Sequence, residues 1–235
     1  MTTTKLQLLS LATLILLGLS GCQKAKVTNQ ASADVFIKAI KNTEGIPVYT
    51  VVHSVFSFNT ITSVSVTSPD GTKKELTNLG NSGNSFYNIP VDADYLQTLP
   101  SSAIGSYTYL VKFNDGEEIT YTNSLSNLTI QPANITSLAK SANGDSVYVK
   151  WDAIPNINFY QVEITKGTNQ IYYSDKFYDG SSPLKASLSL GFRLYNLTTA
   201  GGAGAFSFNI NGLLYETATY DYLQATSTAT NDIEL

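Results

Sequence analysis

The chain has 235 residues, 43% of them apolar and 14% charged, with 14 basic against 18 acidic side chains and one histidine. A formal charge of −4 excludes general nucleic-acid binding, which needs a basic surface to neutralise phosphates. One cysteine excludes an internal disulfide framework, so the fold has to rest on core packing alone.

The first 21 residues read as a leader. One lysine, Lys5, precedes the apolar run LQLLSLATLILLGL, Leu6 to Leu19, and small residues follow. That order is the pattern of a secretory signal peptide. As a membrane span the run is too short: fourteen residues at ~1.5 Å each cover roughly 21 Å of a ~30 Å hydrocarbon core. It ends in Leu19-Ser20-Gly21-Cys22. In this setting the tetrapeptide resembles the lipobox of bacterial lipoproteins. The resemblance implies cleavage after Gly21 and a diacylglyceryl group on the Cys22 thiol. Membrane lipid is then the first expected partner. At about 0.8 kcal/mol per buried methylene, two or more acyl chains anchor stably where one does not. Loss of Lys5 takes the mature charge from −4 to −5. The expected address is the bacterial cell envelope. Gln23, in place of the aspartate that marks inner-membrane retention in many such lipoproteins, points to the outer membrane. Lys24 and Lys26 stand where some lineages carry an acidic export signal, which leaves the periplasmic or surface-facing side open.

Residues 22–32 are polar and lack periodicity, the composition of a flexible tether. From Asp34 onward the pattern is β. VYTVVHSVFSF, Val48 to Phe58, is rich in Val, Phe and Tyr, and ITSVSVT, Ile61 to Thr67, precedes the turn residues Ser68-Pro69-Asp70-Gly71. YTYLVKF, Tyr107 to Phe113, runs through Asn114-Asp115-Gly116 into Glu118 to Thr122, a hairpin signal. No long segment beyond the leader shows a 3.6-residue period, and Asp92 to Leu99 holds at most a turn or two of helix. Many short strands with regular turn signals predict an all-β sandwich class.

IGSYTYLVKFNDG, Ile104 to Gly116, resembles the penultimate strand of an immunoglobulin-like domain. The resemblance covers residues 33–130. It makes Tyr107 the corner tyrosine that bonds back to the preceding turn, and puts Tyr109 where the family carries a strand cysteine. SVYVKWDAIPNINFYQVEI, Ser146 to Ile164, resembles a fibronectin type III domain, with Trp151, Pro155, Tyr160 and Val162 in the matching places. LYNLTTAGGAGAFSFNI resembles that family's corner before the sixth strand, with Phe206 replacing the corner tyrosine. This second match covers about residues 131–230, and the domain is expected to run over 131–235. The expectation is therefore two tandem β-sandwich domains, immunoglobulin-like then fibronectin type III-like, after a cleaved leader of residues 1–21 and a tether of 22–32.

Catalytic chemistry finds little support in the sequence. His53, alone in a strand, reads as a structural residue. With Cys22 committed to lipid, neither a Cys/His pair nor a zinc cluster can be assembled. Glu117 and Glu118 fall on opposite faces of a strand and read as solvated charge. Asp92 and Asp94 could share a face toward a calcium ion, which takes six to eight oxygens and so needs further ligands from the loop. Gly201-Gly202-Ala203-Gly204 lacks the following helix of a phosphate loop and reads as a flexible corner. No cofactor and no metal is implied. Tyrosine remains, with fifteen copies. Tyr172, Tyr173 and Tyr178 crowd one hairpin, and Tyr220 and Tyr222, two apart, share a strand face. Exposed, they would form a binding surface for a protein or glycan; buried, they fill the core. The leading reading is a lipid-anchored, non-catalytic binding or accessory module. Its rivals are a glycoside-type envelope hydrolase with an unrecognised carboxylate pair, and a structural spacer or assembly subunit.

Overall fold

The computed structural model describes residues 28–80, 83–177, 187–217, 219 and 221–235. Cys22, the leader, most of the tether, Tyr178 and Tyr220 lie outside these residues. Ala31–Leu235 form one compact unit, and it is an all-β sandwich structure. No helix among the described residues is long and apolar enough to cross a membrane.

In the first half, β1 (Ser32–Lys41), β2 (Pro47–Phe56), β6 (Ser85–Tyr87) and β5 (Thr77–Asn78) lie side by side. They face a second sheet ordered β4 (Lys73–Glu75), β3 (Ile61–Thr67), β7 (Gly105–Phe113) and β8 (Glu118–Leu125). This is the strand order of the immunoglobulin fold. Alternation builds the core. Val35, Ile37 and Ala39 of β1 and Tyr107, Tyr109, Val111 and Phe113 of β7 point inward and are buried. The turns are where the sequence puts them, with Gly71 at φ +85° and Gly116 at φ +87°, a region glycine enters without strain.

Tyr107 donates its hydroxyl to Ala103 O at 2.7 Å, the corner bond expected of it. Tyr109, two residues on, is fully buried and donates to Asp34 O at 3.0 Å. Its one proton is thereby used, so the 2.9 Å contact to His53 has Nδ1–H of the neutral ring as donor. His53 lies on β2 and Tyr109 on β7, the strands that a disulfide joins in antibody domains. A hydrogen bond between two buried rings ties the sheets here instead. Burial lowers the His53 pKa to about 4, with the Lys74 charge adding to the effect.

In the second half, β9 (Ile135–Lys140), β10 (Ser146–Asp152) and β13 (Ser187–Arg193) form one sheet. It is covered by β12 (Asn169–Tyr173), β11 (Phe159–Lys166), β14 (Ala205–Tyr215) and β15 (Leu223–Glu234). Trp151 of β10 is wholly buried at the centre, 5.7 Å from the Tyr160 ring and 6.4 Å from Phe177. Its indole N–H finds no hydrogen-bond acceptor among the described residues. The burial of ~150–250 Å² of aromatic surface offsets that loss. Phe206 is also fully buried, with no hydroxyl to place.

A single turn of 3-10 helix forms at Asp92–Asp94, within the segment expected to hold a turn or two, while the α-helix Leu194–Gly201 lies where no helical period was read. It is eight residues long, buries only Leu197 and starts at Arg193 without a side-chain cap. So short a segment shows no resolvable period. The glycine run follows it as a terminator. Gly202, at φ +73°, turns the chain, and Lys166 Nζ donates to Gly201 O at 2.7 Å and also to Ala203 O. The positive charge meets the carbonyl end of the helix, where the dipole favours it.

The strands on the two sides of residues 130–131 pair directly. β1 runs parallel to β15, with Ile37 opposite Ala225, Lys38 opposite Thr226 and Ala39 opposite Ser227. One eight-stranded sheet results, ordered β12-β11-β14-β15-β1-β2-β6-β5. Asp34 fastens this junction: its carboxylate accepts from Leu223 N–H at 2.9 Å and from Asn123 Nδ2 at 3.1 Å. Ser227 adds a bond from its hydroxyl to Gln131 O at 2.7 Å.

Candidate functional site

The continuous sheet has two faces, and strand pairing decides which residues share each. Cross-strand partners lie on the same side, and alternate residues along a strand do too. Phe36 pairs with Val52; Lys38 pairs with Thr226, which pairs with Leu213; Thr228 pairs with Asn211, which pairs with Gln161. These residues project on the side away from the inner, sheet-facing row that contains Val35 and Ile37. They form the floor of an open groove of about 500 Å³. Leu79, Tyr87, Asn88, Ile89 and Pro90 wall it on one side, and Tyr173, Lys176 and Tyr215 on the other. The floor exists only because β15 pairs with β1.

The polar groups of the floor are held in place. Thr228 donates to Asn211 Oδ1 at 2.9 Å. Tyr173 donates its hydroxyl to Gln161 Oε1 at 2.8 Å, and Gln161 Nε2 donates to Ser174 O at 3.1 Å. Asn88 accepts from His53 N–H at 2.5 Å and donates to Val51 O at 2.9 Å. Lys176 contacts the Tyr215 hydroxyl, and its Nζ lies 4.6 Å from the centre of that ring. Burial pulls the Lys38 pKa down, with Glu163 acting the other way. Burial raises the Tyr173 pKa, and the Glu163 charge adds to it. The result is a shaped, pre-organised surface with aromatic walls, amide and hydroxyl groups, and two ammonium groups.

Of the tyrosines marked in the sequence, Tyr173 lines this groove. Tyr172 points to the opposite face and packs edge-on against Phe192 at 5.2 Å. Tyr222 precedes β15, where its carbonyl accepts from Glu216 N–H at 3.0 Å. Sequence reasoning missed Lys38, Lys176, Gln161 and Asn211. Each is an isolated polar residue in its own strand or loop, and only the pairing register brings them together.

Among the described residues, no three His, Cys, Asp or Glu side chains converge as metal ligands. Asp94 caps its own turn, with Oδ2 accepting from Val91 N–H at 2.8 Å. Glu118 forms an exposed ion pair with Lys112 at 2.7 Å. Burial and the nearby Glu216 charge raise Asp34 to about 6, with Leu223 N–H opposing. Its Oδ2 is taken by Leu223 of β15 and its Oδ1 by Asn123 of β8.

No family model matches the sequence, and no curated protein matches it. Solved structures that resemble it include fibronectin type III domains. A two-domain fibronectin type III segment of chicken tenascin is 12% identical, covers 88% of this chain and 100% of its own, and superposes with a TM-score of 0.28. A structure of a 1.5-MDa bacterial ice-binding adhesin, concerned with host cell surface retention, is 15% identical over 88% of this chain and 65% of its own, at 0.27. A beta-1,2-glucanase from Parabacteroides distasonis is 11% identical over 88% of this chain and 36% of its own, at 0.27. Superposition at such scores is weak, and the fold here is defined by this chain's own strand order.

Proposed function

We propose that the chain is a non-catalytic binding module of the bacterial envelope, anchored through acylated Cys22 in the outer membrane, with its ligand on the eight-stranded sheet. The groove across the junction carries this reading. Its volume of about 500 Å³ falls in the ~300–1,000 Å³ range of small-ligand sites. A stable protein interface instead needs about 800 Å² from each partner. Aromatic walls with fixed amides and hydroxyls suit a short glycan, which stacks on rings and exchanges hydrogen bonds with side chains. The non-catalytic reading has a local reason: His53 is enclosed in the core, and Asp34 is tied up in holding β15.

Glycan-array binding separates the ligand classes, with a pull-down from envelope extract as the protein arm. Tyr173→Ala should weaken glycan binding at least tenfold while leaving the far-ultraviolet circular dichroism unchanged, because the side chain is half exposed at the groove wall. Unaltered binding, or silence of the wild type on both arms, rejects the site. Cys22→Ser should abolish acylation and move the protein out of the detergent phase. A mutant that partitions like wild type rejects the anchor. Protease access on intact cells assigns the membrane face.

A further inference from the structure

Phe58 is 92% exposed, and Phe56 beside it is 44% exposed, with the rings edge-to-face at 5.1 Å. Two neighbouring phenylalanines left in water call for a partner. Their position in the fold identifies it. Phe56 pairs with Ser32, the first residue of β1, so the pair sits where the chain leaves the tether. Exposed Leu79 belongs to the same row, since its N–H donates to the carbonyl of Ser85, which is paired with Phe56. From Cys22 to Ala31 there are ten residues, a reach of at most roughly 35 Å in any conformation. Ser32 and Phe56 are cross-strand neighbours, only ~5 Å apart. An anchor at Cys22 therefore keeps Phe56 within roughly 40 Å of the bilayer surface, closer by chain length than the far end of β15.

The opposite end is far away. β15 continues parallel to β1 past Ile37–Ala225, and Leu235 exchanges two backbone bonds with Gly204 at 2.8 and 2.9 Å, beside the helix carrying exposed Tyr195. Ser32 is five residues to one side of the Ile37–Ala225 row and Leu235 ten to the other, roughly 50 Å in all at ~3.3 Å per residue. The turn with Asp115 and Glu117 flanks the phenylalanine end, because Asn114 N–H donates to Thr60 O at 3.1 Å. These acids disfavour an anionic surface and favour a zwitterionic one.

We infer that Phe56 and Phe58 dock end-on into the interface of the bilayer that holds Cys22. The sandwich then stands upright, with the groove open to the side. This rests on the lipid-anchor reading, and the experiment tests the two separately. Full-length acylated protein carrying Phe58→Trp, and separately Tyr195→Trp, is reconstituted into phosphatidylcholine vesicles with brominated acyl chains. Intact mass establishes acylation of Cys22, and the Trp151 signal of the parent protein is subtracted. Docking requires bromine to quench the tryptophan at position 58 at least twofold, with a blue-shifted emission, and to leave the one at 195 unquenched. With acylation present, an unquenched position 58 overturns the docking and leaves the anchor standing. Equal quenching at both positions overturns the upright orientation. Absence of acylation overturns the anchor, and the docking with it.

Discussion

Burial acts with opposite sign on Asp34 and His53. For Asp34 it raises the pKa from 3.8 to about 6. The folded state then holds a proton that the unfolded chain has lost between those values. Its contribution to stability is full below 3.8 and is lost as pH rises through 6, a change of about 3 kcal/mol. For His53 burial lowers the pKa from 6.5 to about 4. Here the unfolded chain binds the extra proton, so the contribution is full above 6.5 and is lost as pH falls to 4, again by about 3 kcal/mol. The two slopes nearly cancel. Asp34→Asn removes one of them. Chemical denaturation of this variant should show stability climbing by about 3 kcal/mol from pH 4 to 6.5, where the wild type changes by less than half as much. Parallel curves for the two proteins reject the assignment of a raised carboxyl pKa to Asp34.

At the scale of elements, strands were legible wherever alternation and turn chemistry agreed. ITSVSVT is β3 with the bounds the sequence sets, and the Asn114-Asp115-Gly116 turn joins β7 to β8. The Tyr107 corner was legible through the resemblance of IGSYTYLVKFNDG to an immunoglobulin-like strand, which implied its bond to the preceding turn. The helix Leu194–Gly201 was not, since one buried leucine and two threonines carry no helical signal, and its stability comes from what it touches. Lys166 is the chief of these contacts, through Gly201 O and Ala203 O. Lys166→Met keeps the apolar stem over Phe206 but removes the charge from the helix end. It should cost about 1–2 kcal/mol in urea unfolding with the slope unchanged. A loss under 0.3 kcal/mol would mean that solvent satisfies those carbonyls equally well. The groove was illegible for a related reason. A lone Lys38 or Asn211 looks like solvated surface, and periodicity says which face a residue takes but not which strand lies beside it.

The least legible feature is also the one that shapes the whole molecule. Nothing in the local pattern of SADVFIKAIK or LQATSTATNDIE announces that the two strands pair in parallel across more than 180 residues of sequence. That pairing spans three residue pairs, yet the groups at it are deeply buried: Ala225 and Ser227 are fully enclosed, and Asp34 is nearly so. Unfolding either half alone would expose these side chains, free the Leu223 N–H from the Asp34 carboxylate and cut the sheet at its centre. Exposing the apolar surface packed along that row and breaking the ladder at the centre of the sheet costs several kcal/mol, comparable with the whole ~5–15 kcal/mol stability of a domain. The halves should therefore unfold together. Trp151 reports on the second half alone, whereas far-ultraviolet circular dichroism averages both. In urea the two probes should give one midpoint, with a slope at or above the upper part of the ~1–3 kcal/mol/M range for small proteins, as expected when 205 residues unfold as one unit. Midpoints separated by more than experimental error would show that the shared sheet positions the groove without coupling the stability of its two sides.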